Sequence, residues 1–243
     1  TEVTDENGDG RIDLSDVEYL MRNKKNTMTL LEGDGDFRSP ECVELLKEAD
    51  IVVTNPPFSL FRDYVALLMQ YNKQFAIIGN QNAITYREIF PLIKSNKIWL
   101  GYNNGHYWFM VPDSYEEKKT DFKIDESGQK WRRMGNICWF TNLDIEKRHE
   151  DMTLFRTYSP DIYPKYDNYD AIEVSKTADI PCDYDGYMGV PITFMQYYNP
   201  EQFEIAGLDD HRVEWVGHGP RLNGKVKYRR VIIRRKQVNI NEN

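Results

Sequence analysis

The sequence predicts an α/β fold in which a mostly parallel sheet is wound between helices and a smaller, irregular α+β region follows. Up to Gly101, short apolar runs alternate with amphipathic helical patterns, which is typical of βαβ units. After Tyr102 the pattern changes to aromatic-rich strands with no helix between them, and from about Leu143 the chain is rich in Tyr, Asp and Pro. We therefore predict a core over residues 1–145 and a C-terminal region over residues 146–243.

The first elements of the core are two helices with a strand between them. An amphipathic run predicts a helix over Leu14–Arg22, and residues 27–32 predict a strand that enters a tight, glycine-rich turn over residues 33–36. Ser39 is placed to cap a second helix whose first position is Pro40, since proline is favoured there.

The centre of the core contains the alternation that predicts the sheet. Residues 50–54 form a short apolar run of the kind found in parallel strands buried on both faces. The following pattern predicts, in order, a helix over residues 60–71, a strand over 75–79, a helix over 85–94 and a strand over 97–101.

Four further segments complete the predicted fold. Residues 107–111 and 136–141 are expected to pair as antiparallel strands on the sheet edge, with a charged loop over residues 112–133 between them. In the C-terminal region, residues 189–194 and 226–234 predict short strands.

Composition excludes several functional classes. Hydrophobic residues make up 40% of the 243 residues, which is enough for a packed core and excludes a disordered chain. The formal net charge of -8 excludes a protein that coats nucleic acid through overall positive charge, so any such contact needs a local basic patch. No apolar run approaches the length of a membrane span. Three widely spaced cysteines predict free thiols in a reducing compartment.

The strongest functional signal follows the predicted strand at residues 50–54. Asn55-Pro56-Pro57-Phe58 places a polar, rigid and aromatic turn at the carboxyl end of that strand, where open α/β sheets bind ligands. An amino group on an aromatic ring is a poor nucleophile because its lone pair is delocalised into the ring. The Asn55 side-chain oxygen and the Pro56 carbonyl are suited to accept hydrogen bonds from both of its N–H groups. Two acceptors placed in this way favour a pyramidal nitrogen.

The other two residues of this turn support the same chemistry. Pro57, like Pro56, fixes φ and has no N–H that would compete with the substrate's. Phe58 offers a flat face on which a base can stack, and such stacking is worth roughly 1–3 kcal/mol per base. The alternative is that two prolines merely end a strand.

The Asn-Pro-Pro-Phe motif resembles the catalytic motif of class I, Rossmann-like methyltransferases that use S-adenosylmethionine to methylate amino groups. More narrowly, the runs at residues 33–37, 55–62, 79–86 and 186–194 resemble the EcoRI-type adenine-specific DNA methyltransferases. The resemblance implies that Asp36 and Phe37, with Asp34 as second choice, contact the adenosine of the cofactor. It also implies a glycine-containing first motif before Asp36, which residues 1–33 do not show, so we expect an N-terminal truncation, disorder or an altered motif.

The resemblance further implies a substrate and a setting. The substrate would be N6 of adenine in a short site of double-stranded DNA, and the base would be flipped out of the duplex. The setting would be the cytoplasm of a bacterium or phage-infected cell, with a restriction endonuclease as a counterpart that this chain does not reveal. Two alternatives remain: methylation of guanine N2 in ribosomal RNA or of glutamine in protein, and a non-catalytic, calcium-stabilised binding module.

Two weaker patterns have structural alternatives. Asp5, Asn7, Asp9 and Asp16 occur at the spacing of a calcium-binding loop, or belong to a polar loop that caps the helix at Leu14. The run 221–236 contains eight basic residues and no acidic ones. Its arginines are candidates for phosphate contact, or they protect an exposed edge strand from aggregation. The candidates are Arg229, Arg230 and Arg234.

Overall fold

The structure is a computed structural model that describes residues 5, 8, 10, 14–22, 30–210, 213–214 and 219–236. The chain divides into two compact units, Thr1–Glu48 and Ala49–Asn243, and each is described by itself. No helix in these ranges is long and apolar enough to cross a membrane. The predicted division between residues 145 and 146 stays a prediction.

The first unit contains helices α1 (Leu14–Arg22) and α2 (Pro40–Glu48), which confirms both predicted helices. Ser39 caps α2, because its hydroxyl oxygen accepts a hydrogen bond from the Cys42 N–H at 3.2 Å. The predicted strand over residues 27–32 is not seen at its last three residues, and its first three lie outside the described ranges.

The second unit begins with a five-stranded mixed sheet. Its strands are β1 (Ile51–Thr54), β2 (Gln74–Asn80), β3 (Trp99–Met110), β4 (Phe122–Ile124) and β5 (Lys130–Thr141). The order is β1-β2-β5-β3, with β4 paired to β5. Helix α3 (Phe61–Gln70) connects β1 to β2, and the short helix α4 (Phe90–Lys94) lies between β2 and β3.

The prediction of a mostly parallel sheet is not confirmed. Only β1 and β2 run parallel in this sheet, whereas β5 is antiparallel to β2, β3 and β4. The predicted strands at 97–101 and 107–111 belong to one strand, β3, and β5 lies inside the sheet rather than on its edge. An apolar run predicts that a segment forms a strand but not which neighbour it pairs with, so the sequence could not distinguish these arrangements.

Strand β1 is also more exposed than predicted. Ile51 and Val53 are 48% and 66% exposed, so one of its two faces is not covered within the described residues. The core instead lies on β2 and α3, where Phe61, Val65 and Leu68 of the helix are buried as the predicted apolar face requires. The Phe61 and Phe140 rings are in contact, with centroids 4.9 Å apart.

A second five-stranded sheet forms the rest of this unit. Its strands are β6 (Ala171–Glu173), β7 (Tyr187–Val190), β8 (Phe203–Asp210), β9 (Val213–Glu214) and β12 (Arg230–Arg235). Between β9 and β12, strands β10 (Arg221–Leu222) and β11 (Lys225–Val226) form a separate two-stranded hairpin. The order is β6-β7-β12-β8-β9, so β12 is an interior strand and not an edge strand. Its centre, Val231–Ile233, is fully buried, and β7 and β8 pair with it on either side.

Candidate active site

The Asn-Pro-Pro-Phe turn lies directly after β1, as predicted. Pro56 is buried, and Pro57 has an extended backbone with φ -55° and ψ 127°. A 3₁₀ turn over Phe58–Leu60 then leads into α3, and the Leu60 N–H donates to the Pro57 carbonyl at 2.9 Å. The rigid prolines and this hydrogen bond therefore determine the direction in which the chain leaves the strand.

The two predicted acceptors of this turn have no internal hydrogen-bond donor within the described part of the chain. Asn55 is exposed, and its side chain forms no hydrogen bond within the described part of the chain. The Pro56 carbonyl likewise has no donor among the described residues, in contrast to the Pro57 carbonyl. A carbonyl oxygen without an internal donor can accept a hydrogen bond from a ligand N–H group without losing an internal one.

The end of β2 supplies the neighbouring part of the site. Because β1 and β2 are parallel, with Thr54 opposite Ile77, their carboxyl ends meet at the same edge of the sheet. Asn80 ends β2 and caps the 3₁₀ turn Gln81–Thr85, accepting a hydrogen bond from the Asn82 N–H at 2.9 Å. Gln81 is 8% exposed, and its amide nitrogen has no partner among the described residues.

A cavity of about 1050 Å³ opens beside this edge. It is large enough for a nucleotide, since ligand cavities commonly measure roughly 300–1,000 Å³. Segments far apart in sequence line it: Phe58, Ser59 and Arg62; Asn82 and residues 85–88; and Ile192, Tyr228 and Arg229. Asn55 is not among the lining residues but precedes Phe58 in the same turn. Three of the runs that carry the resemblance to adenine methyltransferases therefore meet at one cavity.

Aromatic faces and guanidinium groups dominate the cavity wall. Phe58 is 42% exposed. The Arg62 guanidinium lies 5.6 Å from the centre of the Tyr86 ring and 3.9 Å from the Glu88 carboxylate. Arg229 Nη1 donates to the Thr85 hydroxyl at 2.8 Å. Flat rings with nearby cations suit a planar, electron-rich ligand that carries phosphate, such as a nucleotide.

The three arginines proposed for nucleic acid have different surroundings. Arg229 lines the cavity. Arg230 forms a nearly buried ion pair with Glu173 at 2.6 Å, and Arg234 pairs with Glu204 at 2.8 Å. The sequence did not show these partners because both carboxylates lie on other strands. The roles of Arg230 and Arg234 in DNA binding stay predictions, although their carboxylate partners favour structural roles.

The acidic turn proposed for the cofactor lies in the first unit. Hydrogen bonds from the Arg38 side chain and backbone lower the pKa of Asp36 to about 2, so its exposed carboxylate is ionised at neutral pH. Asp34 accepts a hydrogen bond from the Asp36 N–H at 3.1 Å, and Phe37 is half-buried with the Arg38 guanidinium 5.2 Å from its ring centre. A carboxylate has about four acceptor positions, so Asp36 can still accept from a ribose or adenine donor.

The proposed calcium loop gains no support. Asn7 and Asp9 lie outside the described residues. The Asp5 carboxylate accepts hydrogen bonds from the N–H groups of Gly8 and Gly10 at 2.7 and 2.8 Å, and Asp16 is buried. No group of three or more His, Cys, Asp or Glu within the described ranges is arranged to hold a metal ion. The observed contacts are those of a polar loop.

Sequence reasoning named Phe58 and Arg229 but assigned no role to the other residues of the cavity. Thr85 and Tyr86 belong to a run quoted for the resemblance, and Ile192 belongs to another. Tyr228 carried only the signal of an aromatic residue inside a basic run. These side chains meet through tertiary contacts, which a linear pattern does not specify.

Comparison with known proteins identifies related chains. Residues 1–236 match the family model described as adenine-specific methyltransferase EcoRI. The chain is 51% identical over 214 residues to the type II methyltransferase M.EcoRI of Escherichia coli. These residues cover 85% of this chain and 64% of the relative. It is 42% identical over 240 residues to M.MgeORF184P of Mycoplasma genitalium, covering 90% of this chain and 75% of the relative.

A third relative agrees with these two. M.MpnI of Mycoplasma pneumoniae, also a type II methyltransferase, is 41% identical over 229 residues, covering 85% of this chain and 70% of the relative. This chain thus spans 64% of the length of M.EcoRI and somewhat more of both Mycoplasma proteins. No solved structure matches the chain.

Proposed function

Because the chain belongs to the family of EcoRI-type adenine-specific methyltransferases, we propose that the protein transfers a methyl group from S-adenosylmethionine to N6 of adenine in a specific double-stranded DNA site. The observation that carries this proposal is the unpartnered Asn55 and Pro56 oxygens beside a nucleotide-sized cavity. The naming of three relatives as type II methyltransferases supports a restriction–modification role. A partner endonuclease and a cytoplasmic location are parts of the proposal.

The residues of the turn would act on the amino group of the target base. The Asn55 side-chain oxygen and the Pro56 carbonyl accept hydrogen bonds from its two N–H groups. These bonds hold the nitrogen lone pair out of conjugation with the ring. Phe58 stacks on the base and limits its tilt. None of these groups is a strong base, and none is needed, because the nitrogen loses its proton only after it has gained the methyl group.

S-adenosylmethionine would supply an electrophilic methyl group on a sulfonium centre. Asp36, with its ionised carboxylate, would accept hydrogen bonds from the adenosine, and Phe37 would contact the adenine ring, with Asp34 supporting the turn. A Rossmann-like arrangement of the whole cofactor-binding region is also part of this proposal. Calcium is not part of this proposal, because no observation on the described residues supports it.

A substrate comparison tests the proposal. The full-length protein would be expressed in a bacterial host without adenine methylation, and modified positions would be mapped by sequencing the host DNA. We expect N6-methyladenine at one short sequence. The purified protein should then label a duplex with that site from radioactive S-adenosylmethionine, but neither ribosomal RNA nor release factor. Labelling of RNA or protein alone would replace the DNA proposal, and no cofactor binding would favour a non-catalytic module.

A further inference from the structure

The structure divides the basic run at residues 221–236 into two chemically different sets. Within β12, each arginine has an internal partner: Arg230 has Glu173, Arg234 has Glu204, and Arg235 donates to the Cys182 carbonyl. All three guanidinium groups therefore form hydrogen bonds with groups of the second unit. The cations before β12 are exposed instead, and they are Arg221, Lys225, Lys227 and Arg229.

Arg221 and Lys225 belong to a hairpin that a neighbouring segment holds by hydrogen bonds. We call it the basic hairpin (β10, β11 and the turn between them). Its turn residues Asn223 and Gly224 have φ of 51° and 74°, the left-handed geometry of a tight hairpin turn. Their N–H groups donate to the Asp167 carboxylate at 3.1 and 2.7 Å. Asn168 accepts from the Arg221 N–H at 3.0 Å, so a separate segment holds the hairpin at both ends.

Tyr228 follows the basic hairpin and lies at the cavity. Its side chain is 90% exposed, which is unusual for an aromatic residue of this size. The residues around it are held in place: the Lys227 N–H donates to the Pro220 carbonyl at 2.7 Å, Arg229 donates to Thr85 on the cavity wall, and Arg230 is paired with Glu173. Among the described aromatic residues that line the candidate base-binding cavity, Tyr228 is the most exposed, and cations precede and follow it in sequence.

We propose that Tyr228 enters the DNA base stack when the target base moves into the cavity, and that the basic hairpin with Lys227 binds the adjacent phosphates. This inference rests on the proposed function. Removing a base from a duplex costs stacking and pairing energy, and apolar or aromatic wedges can occupy a separated base step. An exposed ring that lines the cavity would offset the lost stacking, and the cations next to it in sequence would bind the DNA backbone.

The experiment measures base flipping with the full-length protein. A duplex containing the mapped site would carry 2-aminopurine in place of the target adenine, since its fluorescence rises when it leaves the stack. We expect Tyr228→Ala to reduce both this rise and the kcat on the natural duplex by about tenfold, on the order of one lost stacking contact. Tyr228→Trp should retain both. The matched control is Tyr197→Ala, an exposed tyrosine that does not line this cavity.

A second duplex separates the insertion role from a contact inside the cavity. When the target adenine lies opposite an abasic position, it is already unpaired and needs less help to leave the stack. Tyr228→Ala should then match the unaltered protein within about twofold, because flipping is least costly for an unpaired base. An equal defect on both duplexes, or no defect on either, would overturn the inference. Failure of the unaltered protein to methylate any duplex would instead reject the proposed function.

Discussion

At the scale of single residues, Asn55 bears most directly on the proposed chemistry. Its side chain is exposed after β1 and has no hydrogen-bond partner within the described part of the chain. The buried Pro56 follows it, so the neighbouring carbonyl has a fixed direction. A side chain without an internal partner supports the proposed role of Asn55 as an acceptor for the substrate.

Replacing Asn55 should therefore affect the chemical step more than binding. Asn55→Ala should lower kcat by about 10²–10³-fold, the usual effect of removing one preorganised hydrogen-bonding group from an active site. Binding of S-adenosylmethionine, measured by calorimetry, should be unchanged. Asn55→Asp retains an acceptor oxygen and should keep more activity than the alanine variant. A fully active Asn55→Ala enzyme would contradict the acceptor mechanism.

At the scale of elements, the packing of α3 on the first sheet positions the turn. Helix α3 starts at Phe61, three residues after Phe58, and the Phe61 ring lies over Gly79 of β2. A Cβ added at Gly79 would lie 2.5 Å from the Phe61 ring and 2.9 Å from Phe140. The missing side chain at Gly79 is thus what allows the helix to approach the sheet.

Gly79→Ala should destabilise the protein by about 1–3 kcal/mol, because the buried rings must shift to accommodate the new methyl group. Urea denaturation would measure this change, and kcat should fall with it since the turn moves with α3. Gly33→Ala is the control, because its added Cβ would have only the Glu41 carboxylate nearby, at 3.9 Å. Equal unfolding free energies for the two variants would refute this account of the packing.

The ion pair of Arg230 with Glu173 should stabilise the second sheet more than the ion pair of Arg234 with Glu204. Glu173 accepts two hydrogen bonds from Arg230, at 2.6 and 3.1 Å, and one from the Tyr166 hydroxyl. Glu173→Gln leaves a nearly buried guanidinium without its counter-charge and should cost about 3–5 kcal/mol in urea denaturation. Glu204→Gln at the exposed Arg234 pair should cost only about 0–1 kcal/mol. Similar costs would mean that burial does not decide the strength of these pairs.

The same pair predicts an acid dependence of stability. Burial alone would raise the pKa of Glu173, but hydrogen bonds from Arg230 and Tyr166 outweigh it and lower that pKa from 4.5. The contribution is therefore present above the ordinary pKa and is lost as the pH falls through the lowered one. Unfolding free energies measured from pH 7 downwards should converge between the unaltered protein and Glu173→Gln.

At the scale of the whole molecule, the net charge opposes the proposed binding of DNA. The formal net charge is -8, so long-range electrostatics do not attract DNA. The exposed cations of the basic hairpin and Lys227 directly precede Tyr228 in the chain, whereas Arg230 and Arg234 of β12 are paired with carboxylates. DNA affinity should therefore depend on a small number of phosphate contacts in one place.

The position of these exposed cations predicts how the affinity for DNA depends on salt. Replacing Lys225 and Lys227 by alanine should reduce the slope of log affinity against log salt by about 1.8, since each phosphate contact contributes about 0.9. Replacing Lys94 and Lys97, which are also exposed, removes the same total charge and should leave the slope unchanged. Fluorescence anisotropy with a labelled duplex would measure both. Equal changes would show that total charge, rather than position, controls binding.

Local features could be predicted because they depend on neighbouring residues. Ser39 and Pro40 specify the start of α2, and the prolines after β1 specify the turn that carries Asn55, whatever the rest of the chain does. The strand direction in the first sheet could not be predicted in this way. Strand β5 inserts between β2 and β3 through pairings such as Gly79 with Cys138, and no local periodicity encodes them.

By itself, the sequence determined the place of the turn at Asn55 and the order of most helices and strands, since both follow from side-chain type and short-range spacing. Only the tertiary structure decided which groups each arginine contacts. Arg230 and Arg229 are adjacent in sequence, yet one faces Glu173 and the other lines the cavity with Thr85. The physical reason is that alternate residues around an interior strand meet different neighbours, and these neighbours come from distant parts of the chain.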